Sequence, residues 1–351
     1  MKLKNGRATI KEVAAAANVS TQTVSRVIND RPDVSPDTRK RVQAIIEQMG
    51  YQPSALARSL IRQRSYTIGV VTAGLGYIGP SRTLSGITGA AEAAGYALLL
   101  KELSQFDTNN IKYIFQSFLS RHVDGIIWAV PEVGDNRRWV NRLPMDLEIP
   151  IVYLTMEPQQ NISVVSINNY LGGRMAMSHL FDQGYSQIAH ISGPLDWWEA
   201  RQRISAWRDA RKEMGLTLDD KYWVEGNWGS PSGAYAVDQL LKKYPEMDSI
   251  FVGNDQMAIS VMQIARERGL RIPEDLGIVG FDNIPESAYF GPPLTTVHQD
   301  LDSLGRIALE EIIKIVEAGW QGEEPNEPKS ILLSPTLVVR QSSYRKIVQG
   351  R

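Results

Sequence analysis

The chain has 351 residues and contains no cysteine. This absence excludes a disulfide framework, thiolate-bound zinc, iron–sulfur clusters and a cysteine nucleophile. The sequence also lacks an apolar run of the roughly 18–20 residues that span a bilayer. No apolar core follows the basic N-terminus, so we predict no signal peptide and no membrane partner. We therefore expect a cytoplasmic protein.

The chain carries almost no net charge, because 38 Lys and Arg residues nearly balance 39 Asp and Glu residues. Taken whole, this balance argues against a nucleic-acid partner. Residues 1–64, however, hold twelve basic and five acidic residues, so this head carries +7 and the remainder −8. Such asymmetry indicates a head that binds a polyanion. The alternative is a basic tail that only aids solubility.

Start signals for three helices lie within the first fifty residues. Thr9 and Glu12 have the spacing of a capping box, Ser20 can cap a second helix, and Ser35-Pro36 can start a third. Asn18 can adopt the left-handed conformation that a tight turn between the first two helices requires. We therefore predict a helix-turn-helix supported by a third helix. A small helical bundle with an ordinary polar face is the alternative.

The second helix of this unit carries the predicted base readers. In a helix-turn-helix, that helix enters the major groove of double-stranded DNA with its N-terminal residues at the base edges. Gln22 can form two hydrogen bonds with adenine, and Arg26 can do so with guanine. The predicted DNA-contacting residues of the head are Thr9, Ser20, Thr21, Gln22, Thr23, Ser25, Arg26 and Asn29.

From residue 65 onwards, short apolar runs alternate with amphipathic helical stretches. This alternation predicts parallel sheets covered by helices on both faces, and the units are too many for one compact sheet. The predicted strands include 67–72, 96–100, 125–128, 151–154, 188–192, 249–253, 277–281 and 336–340. The predicted helices include 84–94, 170–183, 199–214, 258–269 and 300–317.

The fold class is therefore predicted as α/β, with a three-helix head, a hinge helix and a body of two doubly wound lobes. The predicted domains are 1–52 for the head, 53–64 for the hinge and linker, and 65–351 for the body. Lobe one is expected at 65–160 and 293–328, and lobe two at 161–292 and 329–345. The lobe boundary is placed in the polar stretch 157–163, with the return to lobe one near Pro292-Pro293. The cleft between such lobes binds small ligands.

One motif suggests an enzyme. Residues 74–79 read G-x-G-x-x-G after a predicted strand, and Glu102 follows about twenty residues later, as in a dinucleotide-binding fingerprint. A dinucleotide-binding turn starts its helix within the glycines, whereas Pro80-Ser81 here resembles the helix cap itself. We interpret the glycines as a flexible loop at the rim of a ligand cleft. An NAD-dependent oxidoreductase is the less favoured alternative.

Other signals for catalysis are weak. The four histidines, His122, His179, His190 and His298, show no metal-ligand spacing. Asp282 is a single carboxylate at the end of a predicted strand, where a hydrogen-bond acceptor is more common than a catalytic acid. We therefore predict no catalytic residue, no metal, no cofactor and no enzymatic activity.

Three segments of the N-terminal region resemble the lactose-repressor (LacI/GalR) family. Residues 19–29 (VSTQTVSRVIN) resemble its DNA-reading helix, residues 8–14 the helix before it, and residues 51–60 its hinge. Thr21 stands where an aromatic base reader can lie, so the operator sequence does not carry over. The resemblance implies a homodimer on a pseudo-palindromic operator, with hinge helices in the minor groove. It makes Leu60 the apolar wedge that kinks the DNA, with Ala57 packed beside it, and it adds Ala57, Arg58 and Leu60 to the predicted DNA-binding residues.

The body extends this resemblance at residues 191–194 (ISGP), 200–203 (ARQR), 253–258 (GNDQMA), 280–282 (GFD), 293–297 (PLTTV) and 337–342 (LVVRQS). In this family the body is like a periplasmic sugar-binding protein and holds the effector between its lobes. The resemblance implies that Arg203 and Asp255 are polar anchors and that Trp228 stacks on the effector. The predicted effector-binding residues are Ser81, Trp128, Thr155, Trp197, Arg203, Trp228, Asp255 and Asp282.

The sequence thus predicts a sequence-specific DNA-binding transcriptional regulator, a repressor of carbohydrate-utilisation genes. A mono- or oligosaccharide between the lobes is expected to switch its operator affinity. No heptad tail follows the last predicted strand, so we expect a homodimer. A stand-alone sugar-binding protein is the main alternative.

Overall fold

The computed structural model describes residues 8–51, 64–107, 110–140, 149–323 and 327–345. The chain divides into two compact units between Tyr66 and Thr67. The first is the basic head, and the second contains both sheets of the body. None of the helices in these segments is long and apolar enough to cross a membrane.

The head contains the three predicted helices: α1 (Ile10–Ala16), α2 (Thr21–Ile28) and α3 (Pro36–Met49). The capping box at the start of α1 is formed, and Asn18 has a φ of 50° in the turn before α2. Both sequence predictions are therefore confirmed. Helices this short are marginal alone, so they depend on a common apolar core. Val13, Val24, Val27 and Val42 are buried at its centre.

Lobe one is built on a six-stranded parallel sheet in the order β11-β5-β4-β3-β1-β2. Its strands are β1 (Thr67–Ala73), β2 (Ala97–Leu103), β3 (Gly125–Ala129), β4 (Ile151–Leu154), β5 (Ser163–Ile167) and β11 (Ser330–Leu333). The helices are α4 (Ile78–Ala94), α5 (Ile111–Leu119) and α10 (Leu301–Gln321). The central strands are buried on both faces, as parallel sheets require.

Lobe two repeats this plan with a six-stranded sheet in the order β12-β10-β9-β8-β6-β7, in which β12 alone is antiparallel. Its strands are β6 (Ile188–Ser192), β7 (Trp223–Glu225), β8 (Ser249–Val252), β9 (Gly277–Asp282), β10 (Thr295–His298) and β12 (Thr336–Val338). The helices are α6 (Asn169–Asp182), α7 (Trp198–Glu213), α8 (Ser230–Lys243) and α9 (Asp255–Glu267). Short 3₁₀ segments occur at Asp220–Tyr222, Pro285–Tyr289 and Gln341–Ser343.

The sheet orders correct the predicted lobe limits. β5 pairs with β4 in the first sheet, so the chain leaves lobe one after Ile167 and not within 157–163. β10 pairs with β9 in the second sheet, so the return follows His298 and not Pro292-Pro293. β11 pairs with β5, which places residues 330–333 in lobe one. Strand pairing over such sequence separations is not visible in the local pattern.

Helices α4 and α10 approach each other through two glycines. A Cβ atom at Gly305 would lie 2.2 Å from the backbone oxygen of Thr83, and one at Gly86 would lie 2.2 Å from that of Asp302. No side chain fits at either position without moving a helix. The backbone contact therefore sets the spacing of the two helices that cover one face of lobe one.

Replacing Gly305 by alanine should lower the free energy of unfolding of the body by about 1–3 kcal/mol, because the methyl group forces the helices apart. Gly319→Ala on the same helix is the matched control, since a Cβ there meets nothing within 4 Å. The free energy of unfolding of this control should rise by up to about 1 kcal/mol, because alanine has a higher helix propensity than glycine. Urea unfolding followed by circular dichroism measures both. Equal effects of the two changes would contradict the close helix contact.

Candidate functional site

The solvent-facing side of α2 carries the predicted base readers. Thr21, Gln22 and Arg26 are exposed on this side. Arg26 is near Asp33, with 3.3 Å between Nη1 and Oδ2, and both side chains are about half exposed. Ion pairs this exposed are weak, so Arg26 is available to a stronger anionic or base partner.

Two predicted DNA contacts are helix caps in the structure. The Ser20 hydroxyl accepts the backbone N–H of Thr23 at 3.0 Å, and the Thr9 hydroxyl accepts that of Glu12 at 3.3 Å. Asn29 is half-buried and donates its side-chain amide to the carbonyl of Ser25 at 2.7 Å. A cap can also face a phosphate at the helix N-terminus, so contact of these residues with DNA stays a prediction.

Thr23 and Ser25, the remaining predicted readers of α2, are half-buried. The hinge residues Ala57, Arg58 and Leu60 lie outside the described residues. The predicted minor-groove wedge is therefore still a prediction from the sequence.

A cleft opens between the two lobes of the body, where the carboxyl ends of both sheets meet. The space enclosed between its walls is about 80 Å³. Ligand pockets commonly have roughly 300–1,000 Å³, so the walls of this cleft stand close together. Its lining residues are Tyr77, Ile78, Gly79, Pro80, Thr83, Ala129, Pro131, Thr155, Ile167, Asn169, Trp197, Glu199, Arg203, Trp228, Asn254, Gln256, Asp282, Gln299 and Leu301.

Aromatic rings form one wall of this cleft. The rings of Trp197 and Trp228 meet edge to face with centroids 5.9 Å apart, and Tyr77 lies 5.4 Å from Trp197. A Cβ atom at Gly193 would lie 2.1 Å from the Trp228 ring, so only glycine admits the ring at this strand end. The Trp228 Nε1 atom is buried and has no hydrogen-bond partner in the described part of the chain. The wall thus offers apolar faces and one free donor.

Arg203 is the buried polar centre of lobe two. Its Nε atom donates to Asn169 Oδ1 at 2.9 Å and its Nη1 atom donates to the carbonyl of Gly253. The Asp282 carboxylate lies 3.8 Å from Nη1 and accepts a hydrogen bond from Gln299 at 2.6 Å. Burial raises the pKa of Asp282 to about 6, against the opposing effects of Arg203 and Gln299. The structure therefore brings the predicted Arg203 and Asp282 together at the cleft.

The prediction that Asp255 is an effector anchor does not agree with the structure. Asp255 is not among the residues that line the cleft, and its carboxylate accepts the Thr296 hydroxyl at 2.6 Å and the backbone N–H of Ile284 at 2.9 Å. Burial raises its pKa to about 8. The flanking Asn254 and Gln256 line the cleft instead, because neighbouring residues at a helix start point in different directions.

Two other predicted effector residues also lie elsewhere. Trp128 is buried in the core of lobe one, with its ring 4.6 Å from that of Trp139, while the next residue, Ala129, lines the cleft. Successive strand residues face opposite sides of a sheet. A shift of one position along β3 therefore leads from the core of lobe one to the cleft. Ser81 lines a neighbouring groove with Arg82 and not the cleft.

The remaining predicted effector residues, Thr155, Trp197, Arg203, Trp228 and Asp282, all line the cleft. Their contact with a ligand stays a prediction. The sequence reasoning missed several polar and aromatic lining residues, namely Tyr77, Asn169, Glu199, Asn254, Gln256 and Gln299. The motif at residues 253–258 already contained a signal for two of these residues, since Asn254 and Gln256 flank Asp255 in it.

The backbone is unusual at this cleft. Thr155, Trp228 and Asp282 have φ values of 49°, 70° and 108°, in the left-handed region that favours glycine. Non-glycine residues persist there only where the surrounding structure holds them, and such positions cluster at ligand sites. Three strained residues that point into one cleft therefore support its assignment as the binding site.

A segment after β3, which we call the strap (residues 131–137), ties the lobes together at one edge of the cleft. The backbone N–H of Gly134 donates to the Asp196 carbonyl at 2.7 Å, and that of Trp198 donates to the Glu132 carbonyl at 3.0 Å. The Glu132 carboxylate also accepts a hydrogen bond from Arg201 at 2.8 Å. The strap belongs to lobe one and its partners belong to lobe two, so these bonds join the two lobes.

The glycine motif differs from its predicted form. Helix α4 begins at Ile78, with Tyr77 as its N-cap residue, and not at Ser81. Gly79 therefore lies in the first helical turn, where it lines the cleft. The expected late helix start, which argued against a dinucleotide-binding turn, is wrong.

Residues 9–54 match the sequence profile described as bacterial regulatory proteins, lacI family, and residues 177–343 match that of a periplasmic binding protein-like domain. The ribose operon repressor of Escherichia coli K12 is 34% identical over 339 residues, covering 96% of this chain and 100% of that protein. The chain belongs to the LacI family. It is a DNA-binding transcriptional regulator, and this family membership supports neither the oxidoreductase nor the stand-alone binding protein.

Two solved structures of LacI-family regulators are similar over nearly the whole chain. The Lac repressor dimer bound to operator and the anti-inducer ONPF matches with a TM-score of 0.85 and 30% identity, covering 97% of this chain and 100% of that one. The complex of the regulator CelR with cellobiose matches with a TM-score of 0.70 and 28% identity, covering 96% and 100%. The predicted α/β architecture of head and two-lobed body is confirmed.

Replacing Glu132 by glutamine should loosen the strap, because Arg201 and the buried Arg137, which lies 3.3 Å from the carboxylate, each lose a charged partner. Amide hydrogen exchange at Gly134 and Trp198, which donate across the lobes, should become about 10- to 100-fold faster. Mass spectrometry of peptides covering the two amides measures this change.

Asp238→Asn is the matched control for the strap. It breaks an ion pair of 2.6 Å with Arg268 within lobe two, where both side chains are partly exposed. Exposed pairs contribute at most about 1 kcal/mol, and exchange at the strap should not change. Unchanged exchange in Glu132→Gln would show that the strap does not hold the lobes together.

Proposed function

We propose that this LacI-family regulator represses carbohydrate-utilisation genes and that a sugar-like effector in the cleft switches its affinity for the operator. The combination of aromatic faces with buried amides and one arginine in a single cleft carries this proposal. Aromatic faces cover the C–H face of a sugar ring, and amides with an arginine fork grip its hydroxyl groups. The CelR complex with cellobiose supports a sugar as the class of ligand.

On the DNA side, we assign base reading to the exposed end of α2. Gln22 and Arg26 are exposed and carry the fork-shaped groups that pair with adenine and guanine. The +7 charge of residues 1–64 supplies salt-dependent attraction to phosphates. The predicted contacts of Thr9, Ser20, Asn29 and the hinge residues belong to this proposal as well.

The proposed assembly is a homodimer on a pseudo-palindromic operator. Two heads related by a two-fold axis read two half-sites, and the similar Lac repressor structure is a dimer on its operator. In this chain, the surface between α9 and the 3₁₀ segment Pro285–Tyr289 supports self-association. Tyr289 there is 88% exposed and Ile259 is 42% exposed, and both line one shallow groove.

The proposed switch is a change in the population of closed lobes. A ligand shifts such an equilibrium only as far as it binds one state better than the other. The cleft is lined from both lobes, and the strap already ties their edges, so a ligand that contacts both walls favours closure. We propose that the cleft binds its ligand without catalysis, and that the protein acts in the cytoplasm.

Replacing Arg26 by alanine should weaken operator binding by about 1–3 kcal/mol and relax discrimination at one base pair. The operator is first selected from random duplex DNA, and fluorescence anisotropy on its single-base variants measures the change. Arg41→Ala, at an exposed position of α3, is the control. It should reduce affinity for DNA equally for all sequences or not at all. An equal loss on all sequences for Arg26→Ala would mean that Arg26 contacts only phosphate.

Deletion of residues 1–66 should abolish operator binding. Operator binding by the deleted chain would contradict the role of the head in DNA binding.

Replacing Trp228 by phenylalanine should weaken binding of the effector by about 0.5–1.5 kcal/mol, because the ring remains but the Nε1 donor is lost. A thermal-shift screen of mono- and oligosaccharides first identifies the ligand, which raises stability by binding the folded state. Trp139→Phe removes a buried Nε1 that also has no partner among the described residues and that belongs to a ring packed against the core of lobe one; this change should leave the affinity unchanged. Equal effects would place the ligand elsewhere.

A further inference from the structure

Glu199 is a polar residue of the cleft that has no role in the sugar contacts proposed above. It lies in the first turn of α7, between Trp197 and Arg203, and it lines the cleft. Its Oε2 atom is buried and has no hydrogen-bond partner in the described segments. A buried acceptor without a donor is costly, so the atom is suited to a donor supplied by a ligand.

Acidic side chains outnumber basic ones among the residues that line the cleft. Two carboxylates, Glu199 and Asp282, line it, and Arg203 is the one basic residue among the lining residues. Asp282 lies 3.8 Å from Arg203, whose Nε and Nη1 atoms are already bonded to Asn169 and Gly253. The described residues contain no ion pair of the Glu199 carboxylate, and only the more distant charges of Arg203 and Arg137 offset its negative charge. An anionic ligand would meet it with like charge in a partly desolvated site.

We infer that Glu199 makes this cleft selective for neutral sugars and amino sugars over sugars that carry a carboxylate or a phosphate. This inference rests on the carbohydrate function proposed above. A hydroxyl or ammonium group donates to Glu199 Oε2, whereas an ionised carboxylate or phosphate group on the sugar offers no donor at that position and adds negative charge to the site. The carboxylate acts as a specificity-determining group.

The ionisation of Glu199 supplies a readout that a purely structural role lacks. Burial raises the pKa of this carboxyl to about 7; its own backbone N–H, Arg203 and Arg137 oppose the rise, and Glu132 adds to it. Above that pH the group is ionised and repels anions. Below it the carboxyl is neutral and can donate a hydrogen bond to an anion. Discrimination against anionic sugars should therefore fall as the pH drops through about 7.

The experiment uses the full-length protein and matched sets built on glucose and on galactose, each with the neutral sugar, the amino sugar, the uronic acid and the phosphate ester. Isothermal titration at about pH 8 and about pH 6 gives each dissociation constant. At the higher pH, the neutral or amino member should bind at least about tenfold more tightly than the acid and the phosphate. At the lower pH this ratio should shrink.

Glu199→Gln should reduce the ratio of neutral to anionic affinity by about tenfold at the higher pH and remove its pH dependence. Glu213→Gln is the control, because it makes the same change at the exposed end of α7, where Glu213 pairs with Arg174. The control should keep the ratio of the original protein. Tightest binding of an acid or phosphate, or a Glu199→Gln protein with an unchanged ratio, would overturn the inference.

If no sugar in these sets binds, a thermal-shift panel of uncharged, cationic and anionic metabolites separates the two proposals. An uncharged or cationic ligand that is not a sugar would refute the carbohydrate function and support the role of Glu199. An anionic ligand of any class would overturn the role of Glu199 without bearing on DNA binding.

Discussion

The buried guanidinium of Arg203 organises the cleft of lobe two. A buried charge is tolerated only when its hydrogen bonds and counter-charge are complete, and the three partners of Arg203 come from three different elements. Asn169 begins α6, Gly253 follows β8, and Asp282 ends β9. The guanidinium also lies 3.7 Å from the centroid of the Phe281 ring. The side chain that lines the cleft thus also holds the strand ends that shape it.

Three strained residues and two buried polar atoms without a partner in the described segments lie at this cleft. Thr155, Trp228 and Asp282 adopt left-handed backbone conformations, and Trp228 Nε1 and Glu199 Oε2 lack partners in the described segments. Each of these features lowers stability by itself. They persist because two well-packed sheets with nearly continuous apolar strands support them. A ligand that completes these hydrogen bonds gains affinity from groups that folding leaves unsatisfied.

Charge is divided between the two units in a way that suits a regulator. The net charge of −1 is the sum of a basic head and an acidic body, so the whole-chain value concealed the feature that bears on function. The head offers positive charge to DNA phosphates, while the body presents acidic surface and an acidic cleft. Long-range attraction to DNA therefore acts on the head, and the ligand site remains chemically distinct from the DNA site.

Local signals in the sequence define almost the whole head. Its helices are defined by local signals, the caps Thr9, Ser20 and Ser35 and the turn residue Asn18, and each operates within a few residues of chain. The strand–helix alternation of the body was equally readable, because buried parallel strands are continuous apolar runs.

The assignment of side chains to the cleft and of strands to the two lobes depends instead on contacts between distant parts of the chain. Trp128 and Ala129 differ by one position, and so do Asp255 and Gln256, yet only the second of each pair lines the cleft. β5 has the local pattern of many short strands, and its pairing with β4 assigns it to lobe one. These outcomes depend on pairing and burial between distant segments, which the local sequence does not encode.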